Sequence, residues 1–170
     1  MATQEVDSPS RSLWIARMTE HDLLEVVEIE QLSALSVWGW DAYHKELQSP
    51  EDVIMLVART QPRESGPNHE HSVAGFIISR LVAGELHINN VAIRPEFRRR
   101  GIAAQLLAAV LREGRGQGAR LAFLEVREGN TAAQGLYRRC GFQVTGTRKR
   151  YYRQPDEDAL LMSLLLETSP

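Results

Sequence analysis

The chain has 170 residues, 43% of them hydrophobic and 25% charged, with 20 Lys or Arg, 22 Asp or Glu and a formal net charge of −2. That length corresponds to about one domain and suffices to bury about 70% of the unfolded chain's surface; the composition excludes collagen-like, coiled-coil and wholly disordered chains, and the charge speaks against a general nucleic-acid binder. The single cysteine, Cys140, excludes an intrachain disulfide framework and fits a reducing compartment. Met1 to Arg11 is polar, with nothing like the apolar core of a secretory signal, and Ala159 to Leu166, interrupted by Ser163, is far too short to cross about 30 Å of hydrocarbon. A cytoplasmic protein with no membrane partner is expected.

Residues 1–11, rich in Ser and small polar residues, read as a disordered tail, and a single domain is expected over 12–168. Leu13 to Arg17 reads as a strand. Thr19 and Asp22 have the spacing of a capping box, opening a helix whose apolar period persists to about Ser33. A second short helix is predicted from Asp41 to Gln48, stopped by Ser49-Pro50. Val53 to Arg59 reads as a strand, and the proline-bearing polar stretch Thr60 to Ser72 as a loop. Val73 to Val82 and Glu85 to Ile93 read as strands joined by a tight Ala83-Gly84 turn. Gly101 to Gln117 carries an apolar stripe of Ile102, Leu106, Leu107, Val110 and Leu111, ended by Gly116 and Gly118. Leu121 to Val126 is apolar at nearly every residue, which predicts burial on both faces. Asn130 is placed to cap a helix from Thr131 to Arg139, stopped by Gly141. Gln143 to Tyr152 and Ala159 to Leu165 complete the set. The order β-α-α-β-β-β-α-β-α-β-β defines an α/β domain with a mixed sheet.

Charge is unevenly spread along these elements. Arg94 to Arg153 holds 14 basic and 4 acidic residues, the remainder 6 basic and 18 acidic. Solvated faces of mixed sign produce such a split; so does a basic pocket for an anionic ligand, with acidic surface left for a cationic partner. The segment from Val91 to Ala104 favours the pocket: a strand ends, Arg98-Arg99-Arg100 follow, and a helix begins at Gly101-Ile102-Ala103-Ala104. The first turn of a helix leaves about four N–H groups unpaired and carries about half a positive charge. Gly101 and Ala103 let a phosphate approach the backbone. A glycine at a helix start beside solvated arginines would read the same way. The P-loop pattern is absent. Gly114-x-Gly116-x-x-Ala119 follows a helix and precedes a strand, the reverse of a dinucleotide fingerprint, and reads as a helix stop.

Arg98-x-x-Gly101-x-Ala103, after Val91-Ala92-Ile93, resembles the Arg/Gln-x-x-Gly-x-Gly/Ala signature of the GNAT family of N-acetyltransferases. Leu124 to Phe142, with Arg150-Tyr151-Tyr152 and Glu157-Asp158-Ala159, is similar to the RimI-type branch, which acetylates the N-terminal alanine of a ribosomal protein. The likeness extends from about Asn90 to Leu165. It implies a mostly antiparallel central sheet with helices on both faces. It also implies acetyl-CoA as donor, without a metal: the turn Arg98, Arg99, Arg100, Gly101, Ile102, Ala103 and Ala104 would hold the pyrophosphate, and Val91, Ala92 and Ile93 would pair with the pantetheine arm. Asn130 would cap its helix, touch the pantetheine, or both. The sequence departs from the pattern at Ala103, at Gly129 and Gly135, and in Ser36-Val37-Trp38-Gly39-Trp40, which matches the family's acceptor loop only loosely.

Transfer to an amine requires that the amine lose a proton. Glu125 is the candidate base, the one acid in an apolar strand, a setting that would raise its pKa; an edge residue facing water is the plain alternative. Tyr137 on spacing alone is a packed helix tyrosine; the resemblance makes it the acid for the departing thiolate, which a pKa near 10 suits. A backbone N–H near Val91 to Ile93 would polarise the thioester carbonyl. Trp38, Trp40 and Tyr43 are either groove or core. Tyr151 and Tyr152 alternate along a strand, so at most one should face a groove. His69-Glu70-His71 lacks a further ligand cluster, and Cys140 lacks a histidine at a recognisable spacing.

An α-amine has a pKa near 8 and lysine near 10.4, so deprotonating lysine at pH 7 costs roughly 3 kcal/mol more. A single carboxylate base therefore favours a protein N-terminus, and the acidic excess, including Asp156, Glu157 and Asp158, would suit a basic ribosomal-protein peptide. The alternatives are acetylation of a small-molecule or lysine amine, a catalytically silent acetyl-CoA-binding module, and RNA contact through the basic stretch.

Overall fold

A computed structural model describes residues 12–33, 37–61 and 72–166. The expected tail 1–11, Ser36 and the His69-Glu70-His71 stretch, with most of the Thr60 to Ser72 loop, lie outside the described residues. The elements are β1 (Leu13–Arg17), α1 (Leu23–Gln31), α2 (Gly39–Leu47), β2 (Val53–Thr60), β3 (Val73–Val82), β4 (Glu85–Ile93), α3 (Ile102–Gly116), β5 (Leu121–Arg127), α4 (Thr131–Arg139), β6 (Gln143–Tyr152) and β7 (Glu157–Leu165). Single 3₁₀ turns cover Glu20–Asp22 and Pro95–Phe97.

Every predicted element is present, and the boundary shifts have physical causes. The Thr19–Asp22 cap forms: the Asp22 carboxylate accepts from the Thr19 N–H at 2.7 Å and hydroxyl at 3.0 Å, and from Arg59 at 2.7 Å. The turn it closes is 3₁₀, so α1 starts at Leu23. α2 starts at Gly39 rather than Asp41 because its cap comes from another helix. The buried Glu30 carboxylate accepts from the N–H groups of Trp38 at 2.7 Å and Gly39 at 3.1 Å, satisfying donors that a helix start otherwise leaves open. β7 begins at Glu157 rather than Ala159 because Tyr152 pairs with Glu157 across the turn.

The seven strands form one sheet in the order β1-β2-β3-β4-β5-β7-β6. Each neighbouring pair is antiparallel except β4 with β5, which is parallel. α3 crosses one face, where Leu106, Leu107 and Val110 meet Ile54, Ile77, Leu86, Ala122 and Leu124. α1 and α2 cover the other, where Val26, Ile29 and Tyr43 meet Met55, Val57, Phe76 and Ile78. Alternate residues of each central strand feed the two cores.

β5 corrects one expectation. Ala122, Leu124 and Val126 are buried, but Leu121, Phe123, Glu125 and Arg127 are only half-buried. α3 covers one face of this strand; the other floors an open groove, and its apolar residues there serve the groove.

Candidate active site

The site begins with a defect in the sheet. Parallel pairing of β4 with β5 runs from Glu85↔Leu121 to Ile88↔Leu124 and stops. The register of β4 against β3 slips at the same place, with Ile78 opposite Asn90 and Ser79 opposite Ile88, leaving Asn89 as an extra residue. A bulge bends its strand and ends pairing, so β4 turns away from β5 and a gap opens. The bend is held from the α1–α2 side: Asn90 Nδ2 donates to the Tyr43 hydroxyl at 3.1 Å, and Tyr43 donates to Glu30 at 2.5 Å. Burial, then the Glu30 carboxylate, push the Tyr43 hydroxyl pKa well above its ordinary value, so it stays a donor. Past the gap the Arg94 N–H donates to the Ala74 carbonyl at 2.8 Å. Antiparallel alternation then turns the backbone polar groups of Val91 and Ile93 away from β3, into the gap.

One mouth of the gap is a cleft of about 920 Å³. Val91, Ala92, Ile93, Arg98, Arg99, Gly101, Ile102, Ala103, Ala104 and Asn130 line it together. Gly101 has φ +75° and open space where a side chain would stand, so glycine is there for backbone conformation. No side chain caps α3 at Gly101, and the first residues of this helix, whose N–H groups have no partner within it, line the cleft. Asn130 is an N-cap, its Oδ1 accepting from the Ala133 N–H at 3.1 Å. The arginines divide their work. Arg98 donates to the Ile93 carbonyl at 3.0 Å, the Leu32 carbonyl at 3.3 Å and the Ser33 hydroxyl at 3.4 Å. It ties the end of β4 to the end of α1. Arg100 does not line the cleft: its guanidinium lies over the Phe97 ring, 5.3 Å from the centroid. Arg99 does line it, and so does Arg139 of α4. Tyr137 reaches the cleft from α4, half-buried and edge-on to Phe142 with centroids 6.0 Å apart. Burial, with smaller contributions from Tyr152 and Cys140, pushes its pKa up to about 12.

The other mouth is a groove of about 420 Å³, lined by Trp38, His87, Phe123, Glu125 and Arg148 among others. Glu125 Oε1 lies 3.3 Å from an Arg148 guanidinium nitrogen, with 29% of its side chain exposed. The fully apolar setting expected for it is instead a half-open one. Tyr151 and Tyr152 both line the groove, against the expectation of at most one. Pairing of β6 with β7 breaks between Arg148 and Tyr152, and Arg150 has φ +51°; the alternation rule fails where the strand is kinked. A hydrogen bond to Glu125 raises the pKa of Tyr151. Burial and the Glu125 charge push Tyr152 up to about 12. Trp38 is in the groove; Tyr43 is buried core; Trp40 stacks on His44 at 4.5 Å.

Residues 23–142 match the model of the acetyltransferase (GNAT) family. The chain belongs to this family. It is 30% identical over 155 residues to the [ribosomal protein bS18]-alanine N-acetyltransferase of Haemophilus ducreyi, covering 89% of this chain and 99% of that one. It is 32% identical over 154 residues to the N-alpha-acetyltransferase RimI of Mycobacterium tuberculosis, covering 87% and 89%. Its fold matches the crystal structure of the ribosomal-protein-S18-alanine N-acetyltransferase from Escherichia coli with a TM-score of 0.78 at 26% identity, covering 94% of this chain and 97% of that one.

GNAT acetyltransferases use acetyl-CoA, and the residues present fit it: a helix start with no side-chain cap beside Arg99 for a diphosphate, and a strand edge at Val91 to Ile93 turned away from β3 for an amide-bearing arm. Among the described residues no group of three or more His, Cys, Asp or Glu could hold a metal, and no helix is long and apolar enough to cross a membrane. Sequence reasoning missed four features of this GNAT site. Arg94, counted in the basic stretch, is 1% exposed and paired with Glu25 at 3.3 Å and Glu28 at 3.0 Å. Arg139 could have been found from its place two residues after Tyr137. Glu157 and Asp158, expected to attract a basic peptide, are engaged: Glu157 by Arg127 at 3.1 Å and the Gly129 N–H at 2.5 Å, Asp158 by Lys149 at 2.7 Å. The Gly129 departure follows, since a Cβ there would lie 2.7 Å from Glu157 Oε1. Glu85, unremarked in the sequence, lines the groove.

Proposed function

We propose that this enzyme acetylates the N-terminal α-amine of a protein, of the ribosomal-protein-alanine type, by direct transfer in a ternary complex. One observation carries the reading: the candidate base, Glu125, faces the groove, and the candidate acid, Tyr137, faces the cleft, on opposite mouths of one gap. Acetyl-CoA, when bound, supplies an acetyl thioester. Val91, Ala92 and Ile93 hold the pantetheine arm; Arg98, Arg99 and Gly101 to Ala104 form the diphosphate turn, with Asn130 across the cleft. Arg98 shapes that turn through the Ile93 carbonyl, and Arg100 supplies charge from over Phe97. A backbone N–H of Val91 or Ile93 donates to the thioester oxygen. Glu125 takes the amine's proton, and Tyr137, protonated to about pH 12, gives one to the leaving sulfur.

A protein N-terminus is the acceptor favoured by the groove floored by β4 and β5 and by the alanine and N-alpha-acetyltransferases to which the chain is similar. An α-amine is also roughly 3 kcal/mol easier to deprotonate at pH 7 than lysine. Direct transfer is supported by Cys140, which lines neither mouth. The cytoplasm, where ribosomal proteins are made, is the matching site of action, with no call on a membrane or on nucleic acid, and 12–168 is the acetyltransferase domain. Glu125→Gln is expected to lower kcat about 10²-fold with coenzyme affinity by calorimetry unchanged, on a peptide beginning with alanine. Near wild-type kcat removes Glu125 from the reaction. Turnover of polyamines or of an Nα-blocked lysine peptide in preference to the free N-terminus overturns the acceptor assignment.

A further inference from the structure

The acceptor groove does not end at Glu125. Its floor continues along the parallel pair β4–β5, where His87 stands opposite Phe123 and Glu85 opposite Leu121. These four and Glu125 sit at alternate positions of their strands, on the face that α3 leaves open. His87 stacks on Phe123 with ring centroids 5.5 Å apart. Its Nε2 lies 3.1 Å from Glu85 Oε2, so the ring steers this carboxylate over the far end of the groove. The cation of the groove, Arg148, is taken by Glu125, and Asp158 is taken by Lys149. Glu85 is 49% exposed and its one ion-pair partner among the described residues is His87, a group that carries charge only when protonated.

We propose that Glu85, held by His87 on Phe123, is a subsite for a cationic side chain of the acceptor peptide, downstream of the amine being acetylated. The assignment rests on the N-terminal acetylation reading above. Strands rise about 3.3 Å per residue. Phe123 and His87 are thus roughly 7 Å from Glu125 along the floor, and Leu121 and Glu85 roughly 13 Å. An extended peptide with its amine at Glu125 lays its third residue over the His87–Phe123 stack and its fourth and fifth beside Glu85. An arginine or lysine there meets a half-shielded carboxylate whose geometry is already fixed, and its stem lies on the Phe123 ring.

The test is a set of heptapeptides beginning with alanine, neutral apart from one arginine walked from residue 2 to residue 7, with an arginine-free reference. The kcat/KM ratio to the reference should peak at residue 4 or 5, about fivefold to tenfold above the other positions, and the peak should shrink as salt rises. In Glu85→Gln the ratio at that position should fall to about one. In Glu85→Lys the preference should invert in favour of a glutamate-bearing peptide, and Glu85→Asp should retain most of the arginine preference. A flat profile on turned-over peptides, or a peak unchanged in Glu85→Gln, overturns the subsite while leaving N-terminal acetylation standing. Failure of every peptide, with turnover of small amines, overturns the N-terminal reading and the subsite with it.

Discussion

The two mouths of the β4–β5 gap are built in opposite ways. The cleft proposed for the coenzyme takes most of its lining from two stretches, Val91 to Ala104 and Asn130 to Arg139, and seven of its lining residues are Gly or Ala, which leave the backbone near the surface. The acceptor groove gathers single side chains from the end of the α1–α2 connection, from β4 and β5, and from the far strands β6 and β7. The difference reflects what each must recognise. A diphosphate and an amide-bearing arm are read by N–H and C=O groups, which any sequence with the right turn supplies. An acceptor is read by side chains whose placement depends on register, bulges and helix packing.

If the mouths are separable, their variants should be too. The largest effect should come from Tyr137→Phe, which keeps the ring on Phe142 but removes the proposed proton donor: kcat on an alanine peptide should fall about 10²-fold with both KM values near wild type. Gly101→Val forces a β-branched residue to φ +75°. Left-handed backbone costs such a residue about 1–2 kcal/mol, so KM for acetyl-CoA should rise about tenfold with peptide KM unchanged; equal changes in both would show the mouths are not separable. Glu30→Gln should act mainly on the acceptor side, with a smaller effect on the cleft through Tyr43 and Asn90. It turns an amide donor against N–H groups that the carboxylate now satisfies, at a cost of about 2 kcal/mol of stability by denaturant titration, and it raises peptide KM by loosening Trp38.

The smallest effect is alkaline. Tyr137 and Tyr152 have folded-state pKa values of about 12 against an unfolded value near 10. The folded state therefore binds more protons above pH 10. The stability these groups contribute is fully present below pH 10 and is lost as pH rises through about 12. Thermal melts from pH 9 to 12 should show Tm falling, with a shallower fall in Tyr152→Phe. An unchanged slope would mean that Tyr152 ionises as freely in the fold as outside it.

Much of the side proposed for the coenzyme was legible in the residue order. Strand, arginine turn, glycine and helix follow one another without a gap, and local rules of capping and periodicity apply within each piece. The arginines were less so. Arg98, Arg99 and Arg100 look alike in the sequence; Arg98 lines the cleft while bracing α1, Arg99 lines it with no such tie to α1 among the described residues, and Arg100 covers Phe97. Arg94 was unreadable, because its carboxylate partners lie on α1, 66 and 69 residues away. On the acceptor side the strand rule misled at Tyr151 and Tyr152, since the kink at Arg150 leaves no mark in the hydrophobic pattern.

By itself the sequence determined the elements, their order, the arginine turn that opens α3 and the choice of Glu125 and Tyr137 as the residues to examine. These depend on interactions within a few residues, where spacing alone sets geometry. The tertiary structure decided where β4 leaves β5, which arginines line the cleft, that Glu30 caps α2 and fixes Tyr43 and Asn90, and that Glu85 shares a floor with Glu125. Each of those is a contact between residues far apart in the chain, and only the packing of α1, α2 and the sheet brings them within reach of one another.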